Sequence, residues 1–175
     1  MNIRKYILIS LSFISFSSMK AQSDCLYHHC LFPESSFIIG GSAIYGFDFV
    51  GAGINGRFYY NMNERFCFGP EFSYLSATNK DLYDINLIAH YIFDIKGIGA
   101  YPVGGINYSI ENEINELHDK ENIETWGIVA GAGIHRNFKR ITVFTEYSHH
   151  FVKIHDDADF MNLGILFMFN SKQNH

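Results

Sequence analysis

From Ser36 onward, apolar and polar residues alternate in short segments separated by turn-like residues. Between Trp126 and His135, one face carries Trp126, Ile128, Ala130, Ala132 and Ile134, and the other carries Gly127, Val129, Gly131, Gly133 and His135. Between Val50 and Tyr60, Val50, Ala52, Ile54, Phe58 and Tyr60 oppose Gly51, Gly53, Asn55, Arg57 and Tyr59. A period of two places successive side chains on opposite sides of a strand. The pattern predicts eight strands, at 36–46, 48–61, 65–77, 82–94, 98–111, 123–136, 141–152 and 159–170. The expected fold class is all-β, an eight-stranded antiparallel transmembrane β-barrel with up-and-down connectivity.

The predicted connections alternate in length. Those at 62–64, 95–97 and 137–140 are short, whereas those at 78–81, 112–122 and 153–158 are polar and include the longest loop. Outer-membrane barrels have short turns at one end and long loops at the other. The first connection, around Gly46-Phe47-Asp48, is too short for that rule.

Alternation alone does not separate a soluble barrel or sandwich, which buries its apolar face, from a membrane barrel, which shows that face to lipid. The character of the two faces does. One face is bulky, with Phe66, Phe68, Phe72, Tyr83, Ile85 and Leu87. The other carries Arg57, Glu71, Asp84, Asn86, His90, Glu146 and His150 among glycines. An eight-stranded barrel has an interior that side chains just fill. Charges in so narrow a space must pair, so Arg57, Glu71, His90 and Glu146 are expected to form a polar cluster in the lumen. With Asn61 set opposite Arg65 at the turn, Arg57 faces Gly69 and reaches Glu71 diagonally.

The first residues predict export. Arg4 and Lys5 precede an apolar run from Ile7 to Phe16, and Ala21 stands at a cleavage site. That run is shorter than a membrane-spanning helix requires. The expected organisation is a signal peptide at 1–21, an N-terminal arm at 22–35, a barrel at 36–170 and a C-terminal tail at 171–175. Loss of Arg4, Lys5 and Lys20 leaves 10 basic residues (13 − 3) against 18 acidic ones, a net charge of −8. Nucleic acid is therefore not an expected partner, because binding it requires cationic surface. Cys25 and Cys30 flank Leu26-Tyr27-His28-His29, a spacing that allows a small disulfide loop in an oxidising compartment. Two Cys and two His also suggest a metal, but the spacing fits no structural zinc pattern.

The last predicted strand, Asn162-Leu163-Gly164-Ile165-Leu166-Phe167-Met168-Phe169, resembles the C-terminal signal recognised by the outer-membrane assembly machinery, with Asn162, Gly164, Phe167 and Phe169 as its marked positions. It departs from the usual form in being followed by Asn170 to His175. With the strand pattern, this makes the chain similar to the outer-membrane β-barrel domain family, the small porin-like barrels of the OmpA transmembrane domain and OmpX type. The resemblance covers residues 36–170. It implies residence in the outer membrane of a Gram-negative bacterium, contact with lipids and lipopolysaccharide, and dependence on the barrel assembly machinery during insertion.

Some barrels of this size deacylate lipid A, and they carry a His, a Ser and a Glu on late strands. Here Glu146, Ser148 and His150 alternate along one strand, and they are the ingredients of acyl transfer. Alternation puts them in the lumen, away from acyl chains, so packing is favoured over catalysis. His149, His150, His155, Asp156, Asp157 and Asp159 gather near the last outer loop, where oxygen and imidazole ligands suit a divalent cation. A solvated acidic loop is the favoured reading of them, and no cofactor or metal is expected. The expected function is structural, adhesive or interaction-mediating, around a lumen filled by side chains. A lipid A-modifying enzyme and a narrow porin-like channel are the alternatives.

Overall fold

A computed structural model describes residues 30–78, 80–114, 120–152 and 158–169. The predicted signal peptide, Cys25 and the tail beyond Phe169 lie outside those residues. The described chain forms eight strands: β1 (Phe37–Gly46), β2 (Gly51–Asn61), β3 (Phe66–Ser76), β4 (Lys80–Tyr91), β5 (Ile98–Ile114), β6 (Lys120–Phe138), β7 (Ile141–Val152) and β8 (Ala158–Phe169). A short segment, Phe93–Ile95, continues β4 beyond Ile92. His90 faces Val103 and Phe93 faces Ala100, so the register against β5 carries through unbroken.

Each strand pairs antiparallel with the next, and β8 pairs with β1, as in Phe37 opposite Phe169 and Gly46 opposite Phe160. The sheet has no free edge along these pairings, and closure removes the exposed backbone groups that a bilayer cannot satisfy. Partners followed once around from Phe37 lead through Tyr60, Phe68, Ala89, Gly104, Ala130 and His149 to Asp159. Asp159 O accepts a hydrogen bond from Phe47 N at 2.8 Å, ten positions along β1 (47 − 37). Such a stagger is what tilts the strands of a closed barrel.

The short turns have local causes. Lys96 and Gly97 both have positive φ, 55° and 84°, as a two-residue hairpin loop matched to strand twist requires. Asp94 Oδ1 accepts from Gly97 N at 2.9 Å. Between β2 and β3, Asn63 Oδ1 accepts from both Arg65 N and Phe66 N, at 2.9 and 2.8 Å. This Asx turn widens the connection, so Asn61 stands opposite Cys67 rather than Arg65.

One other expectation needs correction. The long polar loop predicted at 112–122 is largely strand: β5 runs to Ile114, β6 starts at Lys120, and the two pair from Gly99 opposite His135 up to Ile114 opposite Lys120. Polarity suggested a loop because these residues lack a lipid-facing apolar pattern. A hairpin that extends past the membrane has no use for one. Lys80 Nζ and Glu111 Oε1 at 2.9 Å, and the Tyr108 hydroxyl donating to Glu124 at 2.7 Å, brace it. The sequence left open the place of residues 30–36. They fold across the end of the barrel that carries the short turns. Ser35 N donates to Asn61 O, Asn61 N to Ser36 O, and Phe32 N to Glu64 O, at 2.9, 3.0 and 3.2 Å.

Candidate functional site

The outer wall is apolar on every strand. Phe37, Ile54, Phe72, Leu87, Ile106, Ile128, Phe151 and Leu163 are exposed, and Trp126, at 63% exposure, is among the most open. In a soluble protein an apolar surface that circles the whole molecule would drive association; in a bilayer it is the solvated surface. The inward positions are the polar ones: Asn55, Arg57, Glu71, Asp84, Asn86, His90, Asn107, Glu146, Ser148, His150 and Asn162 are all buried. Among the described residues no helix is long and apolar enough to cross a membrane.

At mid-height the lumen is closed by an ionic knot. Arg57 on β2 sits directly opposite Glu71 on β3, not opposite Gly69 as the sequence register suggested; the wider turn accounts for the shift. Its Nη1 lies 3.5 Å from Glu71 Oε1, and its Nη2 lies 2.8 Å from Glu146 Oε1 on β7. Its Nε donates to Asn55 Oδ1 at 2.6 Å, and its guanidinium carbon stands 4.4 Å from the centre of the Phe144 ring. Asn55 Nδ2 donates to Glu71 Oε2 at 3.1 Å, and the Tyr59 hydroxyl donates to Glu71 Oε1. His90 Nε2 approaches Glu146 Oε2 at 3.7 Å. One guanidinium thus faces two carboxylates, with its apolar plane covered by an aromatic ring. A buried charge is tolerable only with such partners.

Below the knot, toward the short turns, the filling is aromatic. Tyr59 and Tyr101 pack against His90, with ring centres 4.9 and 4.8 Å away, and Tyr101 packs on His135 at 5.4 Å. Gly133 makes this stack feasible, because a side chain there would collide with the Tyr101 ring. Phe32 from the N-terminal arm stacks on His135 at 5.1 Å, and His135 Nε2 donates to Cys30 O at 2.6 Å. Cys30 and Phe32 are 1% and 4% exposed, so the arm plugs that mouth. Burial pushes the Cys30 thiol up to about 11, and the neighbouring Asp94 adds to the rise. Phe32 was legible only as an apolar residue ahead of the first strand.

Above the knot the side chains turn to amides and hydroxyls. Ser42 Oγ donates to Asn162 Oδ1 at 3.0 Å, and Asn107 Nδ2 donates to Asn86 Oδ1 at 2.7 Å. Higher still, the lumen opens into a vestibule of about 230 Å³ at the loop end, with Asp84, Ser109, Thr125 and His150 among its lining.

The acyl-transfer candidates are together on β7 but do not form a relay. Glu146 is held by Arg57; His150 has Nδ1 4.0 Å from Asp84 Oδ2 and its ring against Phe160; Ser148 is 5% exposed and inward. No hydrogen bond joins Ser148 to His150. The acidic and imidazole cluster of the last loop is divided by the barrel wall. His149 faces out and meets Asp159 at 2.7 Å, whereas His150 faces in. His155, Asp156 and Asp157 lie outside the described residues, and among the described residues no group of three suitable side chains converges to hold a metal. Of the terminal-strand positions, Asn162 is buried in the lumen, Gly164 abuts β1, and Phe167 and Phe169 are exposed on the apolar wall.

No family model matches the chain, and no curated protein matches it. Solved structures do. The N-terminal β-barrel domain of Pseudomonas aeruginosa OprF is 16% identical, with a TM-score of 0.70 over 79% of this chain and 100% of that one. This is the fold of the small outer-membrane β-barrels. Ail, the attachment invasion locus protein of Yersinia pestis, is 17% identical with a TM-score of 0.54 over 77% of this barrel's chain and 97% of its own. The outer membrane protein OprG from Pseudomonas aeruginosa is 9% identical with a TM-score of 0.55 over 79% and 98%. The barrel's apolar exterior and closed ladder are those of Gram-negative outer-membrane proteins.

Proposed function

We propose that this barrel is a non-conducting protein of the Gram-negative outer membrane, with a structural, adhesive or interaction role exercised from its loop end. The observation that carries the reading is the pairing of Arg57 with Glu71 and Glu146 across the lumen, above the arm that fills the opposite mouth. An ion following the axis meets that knot and then a stack of aromatic rings, and the void between them, about 10 Å³, has room for one water at most. Among the described residues, material outside the cell would meet the vestibule, the turn at 47–50 and the β5–β6 hairpin.

Lipid A modification gains no support from the arrangement, because Ser148 points away from the surface where acyl chains lie. The test is conductance of the purified mature protein in planar bilayers, together with mass spectrometry of lipid A from cells with and without it. Absence of steady conductance and an unchanged lipid A spectrum are expected. A stable open level would replace this reading with a channel, and a shifted acyl pattern would replace it with an enzyme.

A further inference from the structure

We propose that Glu71 is an uncharged carboxylic acid in the folded barrel at neutral pH, so that the knot is a single ion pair, Arg57 with Glu146, clasped by a neutral third member. The charge state of the knot is independent of whether the barrel conducts. Two carboxyl groups here compete for one cation. The side chains of Arg57, Glu71 and Glu146 are 1%, 6% and 2% exposed, and among the described residues no other Lys or Arg is buried. The void beneath them, about 10 Å³, holds one water at most, so solvent cannot support a second negative charge. With both carboxyls ionised the knot would bear an unmatched buried charge. Like charges that share one site drive one of them to take a proton.

The contacts decide which carboxyl takes it. Arg57 Nη2 stands 2.8 Å from Glu146 Oε1, whereas Nη1 is 3.5 Å from Glu71 Oε1. Charge-assisted hydrogen bonds of this kind run at about 2.7–2.9 Å, so the guanidinium favours Glu146. Glu146 also accepts from the Tyr101 hydroxyl of β5 and is approached at 3.7 Å by His90 Nε2 of β4. Apart from the long Arg57 contact, Glu71 on β3 is met by uncharged groups of β2, Asn55 Nδ2 at Oε2 and the Tyr59 hydroxyl at Oε1. Its partner on β4, Asn86, is uncharged, as are Ser42 of β1 and Asn162 of β8, which continue the network beyond Asn55. Cys67 of β3 and His135 of β6 line the void below. A proton on Glu71 sacrifices none of these contacts. Oε2 still accepts from Asn55, and an Oε1 hydroxyl exchanges donor and acceptor roles with Tyr59.

The result is a brace that loosens as pH rises. In the unfolded chain Glu71 ionises in the ordinary carboxyl range, about 4.3, whereas in the barrel it keeps its proton to higher pH. Between those points the native state holds one proton more than the unfolded chain. Each pH unit there lowers the folding equilibrium constant by about tenfold.

The experiment uses the mature, micelle-refolded barrel with carbon-13 in its Glu carboxyls, assigned through side-chain correlations in the unmodified protein. At pH 7 the Glu71 carbon should show the shift of a carboxylic acid, and the Glu146 carbon that of a carboxylate. Urea unfolding between pH 5 and pH 7 gives a second reading. Glu71→Gln should abolish the proton-linked loss, so its folding constant gains about tenfold per pH unit relative to the unmodified protein. A carboxylate shift at Glu71, an acid shift at Glu146 instead, or parallel pH profiles for the unmodified protein and a folded Glu71→Gln barrel would each overturn the assignment. The carboxyl spectrum needs no variant, so it decides the matter even if Glu71→Gln does not fold.

Discussion

Arg57 and Glu146 meet at 2.8 Å across the lumen, from strands β2 and β7 that are separated around the wall by β1 and β8. This contact ties opposite sides of the barrel through its interior, whereas backbone ladders tie only neighbours. Since the narrow core admits little water, the pair holds its Coulomb attraction, and each partner depends on the other for its charge.

Removal of one partner is therefore expected to be worse than removal of both. Arg57→Ala leaves Glu71 and Glu146 facing each other without a cation, and it should cost about 3–5 kcal/mol. The triple replacement Arg57→Met, Glu71→Gln, Glu146→Gln should cost clearly less. Urea unfolding followed through Trp126 fluorescence measures both. Equal losses would mean that the knot contributes through packing alone.

The arm makes a separate prediction. Phe32→Ala removes the ring stacked on His135 and a buried side chain whose truncation costs about 3 kcal/mol or more where it cannot relax. The arm can instead detach, so the loss should appear locally, as faster hydrogen exchange at residues 31–36 with the barrel intact. Cys30 reports the same event. With its pKa raised to about 11, its thiolate is scarce at pH 8 in the folded protein, and alkylation should be slow until pH approaches that value. In a Cys25→Ser background, Phe32→Ala should speed Cys30 alkylation at pH 8 by tenfold or more. No change would show that Phe32 does not hold the arm down.

What the sequence disclosed and what it hid divide along physical lines. Period-two alternation marks which side of a strand faces lipid, so Phe72 and Leu87 were legible as outward and Glu71 and Asn86 as inward. Register was not legible in the same way. It depended on the Asx turn at Asn63, and a two-residue error there moved Arg57 from Glu71 to Gly69. The arm was hidden because Cys30 and Phe32 lie in no periodic segment; only the position of the open mouth says where they go. The β5–β6 hairpin was truncated because its upper part is polar on both faces. Asp84 was legible as one of several inward acids, but its contacts with Ser109 and Asn107 on the neighbouring strand exist only in three dimensions.

The last prediction separates two roles within β8, where Gly164 and Phe169 both carry the resemblance to an assembly signal. Gly164 lies opposite Ser42 at the seam where β8 closes on β1, and a side chain there would collide with the Gly41 carbonyl oxygen and with Ser42. Gly164→Val should therefore hinder closure itself, lowering the heat-modifiable folded band after refolding in detergent as well as in cells. Phe169 is 57% exposed on the apolar wall, and its pairing with Phe37 runs through the backbone, which alanine keeps. Phe169→Ala should refold in detergent at close to the normal yield, yet accumulate unfolded in cells, because what it removes is a feature read by the insertion machinery. Comparing the two variants in both settings is decisive. If Phe169→Ala assembles normally in cells, the terminal aromatic is no signal in this chain. If Gly164→Val refolds normally in detergent, the β1–β8 seam tolerates more than the close approach of its backbones allows.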